Sequence, residues 1–221
     1  MQSKVILTTT LSLILLPALY FFVFEFGDEA IGQRIWLSLF QAVTPRTAGF
    51  NTADLTAFSE GGSVIMTGLM LIGGSPGSTA GGMKTTTFAV MLSTAVSVFR
   101  RREHTHFYGR RIADETVRNA STILMMYVIL FLTGGFLICL LEGLPILTCF
   151  YEAASAIGTV GLTLGITPQL GTASRLILIF LMYVGRVGGL TLIFSAMAGN
   201  KGNTARLPQE KMTVGVVSNK L

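Results

Sequence analysis

The segment Trp36–Asn51, WLSLFQAVTPRTAGFN, recurs 112 residues later as Thr148–Thr163, TCFYEAASAIGTVGLT. The register is free of gaps. Thr47-Ala48-Gly49-Phe50 falls on Thr159-Val160-Gly161-Leu162, and Leu69-Met70-Leu71-Ile72-Gly73 falls on Leu181-Met182-Tyr183-Val184-Gly185. One offset held across two separated stretches marks a duplicated unit. The fold must therefore repeat, and each copy must set a Thr-x-Gly-x tetrapeptide in comparable surroundings.

What surrounds it is apolar. Hydrophobic residues make up 51% of the chain and charged residues only 12%, about half the share usual in a soluble domain. Apolar runs occur at Val5–Phe24, Val64–Ile72, Thr122–Leu141 and Leu176–Val184, the last continuing past Arg186 to Ala198. A helical span takes about 20 such residues. The composition describes an all-α polytopic membrane protein. Lys4 before the first run resembles a signal peptide, but the run is long, no A-x-A site closes it, and its counterpart is internal.

Charge sets the orientation. The net charge of +5 is concentrated in Arg100, Arg101, Arg102, Arg110, Arg111 and Arg118, and again in Lys201, Arg206 and Lys211 after the last apolar run. Between Glu25 and Glu60 the balance reverses. This pattern is membrane topology rather than nucleic-acid binding: both basic regions and the carboxyl terminus are expected in the cytoplasm of a multi-pass plasma-membrane protein. Cys139 and Cys149 lie in or beside apolar segments and imply neither a disulfide framework nor a metal site. His104 and His106, without a third ligand nearby, read as solvated surface residues.

The first unit is expected at 1–99, with an outer span at 5–24, a short helix at 33–44, the tetrapeptide at 47–50 and an interrupted inner span at 63–99. A basic linker follows at 100–116. The second unit covers 117–199, with an outer span at 117–141, a short helix at 145–156, the tetrapeptide at 159–162 and an inner span at 173–198, before a tail at 200–221. A helix of about 12 residues is only about 18 Å long, half a bilayer. A half-span helix followed by a loop forms a re-entrant hairpin, tolerated only beside protein or a water-filled path. The expectation is four spans and two re-entrant helices.

The inner span of the first unit is broken by Gly73-Gly74-Ser75-Pro76-Gly77-Ser78-Thr79-Ala80-Gly81-Gly82, which cannot continue a helix. A flexible coil between two half-helices is expected there. Gly77-x-x-x-x-Gly82-Met83-Lys84-Thr85 resembles a phosphate-binding loop, but Met83 intervenes where that motif requires Lys.

A dehydrated cation exchanges its water shell for oxygens, and rings of backbone carbonyls from symmetry-related loops supply them. Gly49 and Gly161 give the dihedral freedom such loops need. Thr47 and Thr159 add hydroxyls at the inner mouth, while Ala48 and Val160 can pack the loop from behind. The preceding helix aims its negative end at the axis. Thr159-Val160-Gly161 matches the first three residues of the TVGYG potassium filter and Leu162 is followed by no second glycine, so looser selectivity is expected. The competing reading is that these glycines only let helices approach, as small residues do in membranes; that fits Gly134, Gly135, Gly188 and Gly189 but not the repetition.

Arg186 stands inside an apolar run without an acidic neighbour in sequence. A charge at that depth costs roughly 2.5 kcal/mol or more unless it meets a partner or a cavity. It is expected to face a pore, repel cations there and donate hydrogen bonds to carbonyls of the Gly73–Gly82 coil. Glu152 either pairs with it or sits behind the tetrapeptide. No catalytic constellation assembles, and the chain is not expected to be an enzyme or to carry a cofactor of its own.

The strings TPRTAGFNT, Gly73–Lys84 with Thr85-Thr86-Thr87 following, AIGTVGLTLG, GRVGGLTL and the tail Leu207-Pro-Gln-Glu-Lys together resemble the Trk/Ktr/HKT superfamily of potassium uptake proteins, specifically its Ktr-type membrane subunit. The resemblance covers essentially the whole chain. That family carries four outer-helix/pore-helix/filter/inner-helix repeats around one pore, and this sequence resembles the third and fourth. The resemblance implies passive, channel-like potassium transport. Thr47, Ala48, Gly49 and Phe50 with Thr159, Val160, Gly161 and Leu162 would be two quarters of a selectivity filter that holds potassium by backbone carbonyls. Gly73, Gly74, Ser75, Gly77, Ser78, Thr79, Gly81, Gly82 and Lys84 would form an intramembrane gating loop, with Arg186 beneath it. It implies a homodimer of pore subunits on a cytosolic nucleotide-binding regulatory subunit. Repeats one and two are missing, so a fragment or split half is expected. The alternatives are a non-conducting truncated or accessory subunit, or a sodium/potassium transporter of the same family.

Overall fold

The computed structural model describes residues 1–102 and 104–188. Expectations for 189–198, including Gly189, and for the tail at 200–221 lie outside the described residues. Seven α-helices are described: α1 (Gln2–Phe24), α2 (Ile31–Val43), α3 (Glu60–Leu71), α4 (Thr85–Phe99), α5 (Asp114–Glu142), α6 (Ile146–Gly158) and α7 (Thr172–Val187). A two-residue hairpin, β1 (His106–Phe107) with β2 (Arg110–Arg111), joins α4 to α5. Its turn is Tyr108-Gly109, both left-handed, the conformation that matches strand twist in tight hairpins.

Of the described helices, α1 and α5 are long and apolar enough to cross a membrane by length and composition. Helix starts recur at the same offset as the sequence: Gln2 and Asp114 are 112 apart, as are Glu60 and Thr172. The copies then diverge where their residues do. Pro45 has no N–H to continue the ladder, and α2 ends at Val43, four residues before Thr47. Its counterpart is Ile157, and α6 runs through Gly158, directly before Thr159. Likewise Gly74 and Pro76 end the helix after α3, whereas Arg186 and Val187, falling on Gly74 and Ser75, continue α7.

The core lies around α6. This helix packs against α3, α5 and α7, and Tyr151, Ala153, Ala154 and Ile157 are buried on it. Glycines permit the closeness. A Cβ on Gly158 would collide with the Met70 carbonyl oxygen of α3, and one on Gly185 with the Ile157 carbonyl oxygen. The helix α2, by contrast, packs mainly on α1 and leaves Ile31, Trp36 and Val43 exposed.

Each long helix ends in a carboxylate that caps another helix. Glu25, after α1, accepts from Ser59 N at 3.0 Å and Ser59 Oγ at 2.5 Å at the start of α3. Glu142, closing α5, accepts from Gly171 N at 2.8 Å and Ser174 Oγ at 2.5 Å at the start of α7. Both satisfy donors that a helix start leaves unpaired and place negative charge at its positive end.

Candidate ion-path loops and the coil between α3 and α4

The two tetrapeptides share a backbone pattern. Thr47 and Gly49 have φ of 65° and 74°, and Thr159 and Gly161 have φ of 52° and 92°, while the residue between them stays in the ordinary region. Sequence reasoning assigned left-handed freedom to glycine alone. Here β-branched threonine adopts it too, a conformation uncommon for such residues. In an extended chain carbonyls alternate sides, and reversing the hand at every second residue turns them toward one side.

The amide groups are committed elsewhere. Ala48 N and Gly49 N donate to Thr44 O at 3.2 and 3.1 Å, and the Thr44 hydroxyl donates to the Phe50 carbonyl. In the second loop Val160 N donates to Ser155 O at 2.9 Å and Gly161 N to Ser155 Oγ at 3.2 Å. Among the described residues no hydrogen bond uses the carbonyls of Thr47, Ala48, Gly49, Thr159, Val160 or Gly161. The loops meet: a Cβ added to Gly49 would collide with the Val160 carbonyl oxygen.

Their burial differs. Val160 and Leu162 are buried, Ala48 is exposed, and Phe50 is 73% exposed. The expectation that Ala48 packs its loop from behind is therefore corrected. The second loop is backed by the core around α6, and the first leaves a helix that packs mainly on α1.

Glu152 is settled behind the second loop. Its carboxylate, 4% exposed, accepts from the Thr163 hydroxyl, from Leu164 N at 3.2 Å and from Thr167 Oγ1 at 2.9 Å. It makes no ion pair with Arg186; the ion pair among the described residues is Arg111 with Asp114. The three acceptor contacts hold the chain that leaves Leu162.

The coil between α3 and α4 is pinned rather than loose. Gly73 N donates to Met83 O at 2.8 Å and Met83 N to Leu71 O at 3.1 Å, closing a neck where Ile72 bridges Met83. Within it Lys84 Nζ donates to Ser78 O at 3.1 Å and Ala80 O at 2.6 Å, and Ser78 Oγ donates to Ser75 O at 2.7 Å. Gly82 lies against Gly158, and a Cβ on Gly81 would collide with the Thr159 side chain. The Thr159 hydroxyl, buried there, has no partner among the described residues. The coil thus sits against the start of the second tetrapeptide.

The donor that reaches this coil from another element is Arg46, whose guanidinium donates to Gly73 O at 3.1 Å. The expectation that Arg186 bonds the coil carbonyls is corrected: among the described residues Arg46 and Lys84 take them. Arg186 is exposed in the last described turn of α7 and borders two cavities. One, of about 470 Å³, is shared with Thr79, Gly82, Lys84 and Tyr127. The other, of about 630 Å³, is shared with Glu152, Thr159, Gly161, Thr163 and Thr167. Arg46 was visible in sequence only as a charge ending an apolar helix.

The family model described as TrkH, cation transport protein, matches residues 1–204. The chain belongs to the TrkH cation transport family. This TrkH-family chain is 37% identical to Ktr system potassium uptake protein B of Bacillus subtilis over 97% of its own length and 49% of that protein. It is 34% identical to potassium/sodium uptake protein NtpJ of Enterococcus hirae, over 97% of itself and 50% of the relative. The crystal structure of the potassium transporter TrkH from Vibrio parahaemolyticus shares the fold, with a TM-score of 0.71 at 22% identity, covering 87% of this chain and 43% of that one. The chain spans about half the length of the curated relatives it matches.

Proposed function

We propose that this chain supplies half of a potassium pore, conducting passively through backbone carbonyls of Thr47–Phe50 and Thr159–Leu162. The observation that carries the reading is the pair of loops themselves: alternating hands at Thr and Gly, amides bound back to the preceding helix, and the carbonyls of Thr47, Ala48 and Gly49 and of Thr159, Val160 and Gly161 left free. Cation filters use rings of such oxygens. In this reading α2 and α6 are pore helices, α1 and α5 outer spans, and α3, α4 and α7 inner spans, in two tandem repeats at 1–99 and 117–199 around the basic linker at 100–116. Two loops subtend half a ring, so further polypeptide contributes the other two. The coil from Gly73 through Lys84 serves as the gate, and Arg186 lies in the path beneath it. The basic segments face the cytoplasm, with a homodimer seated on a nucleotide-binding regulatory subunit. The names of the relatives, potassium uptake in one and potassium/sodium uptake in another, support a monovalent cation as cargo.

The test is potassium uptake by the complete assembly in cells lacking other uptake systems. Gly161 has open space around it, so Gly161→Ala is opposed by its φ of 92° and not by a clash. Potassium uptake, or its preference over sodium, should fall at least tenfold while the protein level holds. Unchanged uptake and selectivity would remove the filter assignment.

A further inference from the structure

A groove runs between α1 and α4 beside the β1–β2 hairpin. It has a volume of about 580 Å³ and is lined by Thr8, Leu16, Pro17, Leu92, Val96 and Phe107 among others. Volumes of roughly 300–1,000 Å³ hold organic ligands of moderate size. Along α1 its lining runs from Thr8 to Pro17, about 13 Å at the helical rise. Its rim is open, with Leu16 68% and Leu92 57% exposed.

One end is closed by the hairpin, which is clipped to both helices. Tyr108 Oη donates to Thr8 Oγ1 at 3.2 Å, Ser93 Oγ donates to His106 O at 3.3 Å, and the hydroxyls of Thr94 and Thr105 lie 3.1 Å apart. Three cations mark this end, each fixed by geometry to a lining residue. Lys4 lies one turn before Thr8, and Arg100 one turn beyond Val96, on the same faces of their helices. Arg110 stands directly across the strand pair from Phe107, so the two side chains share a face of the hairpin. All three are exposed, and none is in an ion pair among the described residues.

An apolar trough two to three helical turns long, closed at one end by a hairpin and flanked there by three exposed cations, has the shape of one amphiphile. We infer that this groove binds an anionic phospholipid, its acyl chain along Leu16, Leu92 and Val96 and its phosphate among Lys4, Arg100 and Arg110. The inference rests on α1 and α4 facing lipid and is independent of the filter assignment. Clusters of Lys and Arg at a helix end attract anionic headgroups, each charge adding about fivefold in affinity.

The experiment uses the full assembly purified in detergent, with phosphatidylglycerol or phosphatidylcholine added and adducts counted by native mass spectrometry. Phosphatidylglycerol should be retained in preference to phosphatidylcholine. The triple substitution Lys4→Gln, Arg100→Gln, Arg110→Gln should weaken phosphatidylglycerol binding on the order of a hundredfold. Leu92→Trp, which fills the trough, should abolish retention of both lipids with all three charges present. Equal retention of the two lipids by the unaltered protein overturns the inference, as does undiminished preference in the triple variant. Efficient disulfide cross-linking between two copies carrying Leu92→Cys would assign the groove to a second protein chain and likewise overturn it.

Discussion

Gly81 places its bare Cα against the side chain of Thr159, the residue that opens the second tetrapeptide; a Cβ there would lie 2.8 Å from Thr159 Cγ2 and 2.9 Å from its Cβ. The coil thus leaves no room for a larger side chain beside Thr159. Gly81→Val should displace either the coil or Thr159 and change steady-state potassium flux at least tenfold. Gly68→Ala in α3 meets open space and serves as control; exchanging glycine for alanine inside a helix gains about 1 kcal/mol. Equal flux in the two variants would show that the contact carries no coupling.

Arg46 ties the turn that follows α2 to Gly73, at the neck of the coil. A hydrogen bond from a charged donor contributes about 1.5–3 kcal/mol. Arg46→Gln should lower the thermal midpoint of the assembly and shift the open fraction of the pathway in single-channel or flux recordings. Arg46→Lys keeps the charge without the planar fork and should recover only part of the loss. An unchanged midpoint and unchanged flux in Arg46→Gln would remove the clamp.

Glu152 accepts three hydrogen bonds from the chain following Leu162. Alanine there removes the shared acceptor of three partly exposed donors, each bond contributing about 0.5–1.5 kcal/mol. Glu152→Ala should destabilise the protein and broaden cation selectivity, whereas Glu152→Gln, retaining one carbonyl acceptor, should cost less on both counts. Equal selectivity in all three proteins would confine Glu152 to stability alone.

The capping carboxylates are testable by thermal unfolding in detergent. Glu142→Ala removes acceptors from Gly171 N and Ser174 Oγ, and loss of a helix N-cap costs about 0.5–2 kcal/mol. A lower midpoint with unaltered selectivity is expected, because this site lies at the start of α7, away from Thr159. A selectivity change without a stability change would contradict the capping role.

Much of the fold was legible because its signals are local. Apolar runs announce helices, Pro45 stops one, and the glycines of the 73–82 segment stop another. The repeated offset of 112 located both tetrapeptides. What escaped were partnerships across sequence distance. Arg46 reaches a carbonyl 27 residues away, and Glu152 gathers hydroxyls 11 and 15 residues on. Nothing in local pattern distinguishes those charges from Arg186, which sequence reasoning favoured because a lone arginine in an apolar run is conspicuous. The left-handed threonines were also invisible, since propensity argues for glycine there. Only the packing of each loop on its helix end fixes them.

The pinned neck at Ile72 and Met83 has a mechanical corollary. A segment anchored at its base by three backbone hydrogen bonds, Thr85 N to Gly74 O at 3.1 Å being the third, is held as a flap on a hinge, not as a spring that must unwind. Swinging it aside need not melt a turn of α3 or α4. Displacing the flap means parting Gly82 from Gly158 and Gly81 from the Thr159 side chain, while the Arg46 guanidinium stays on the hinge at Gly73.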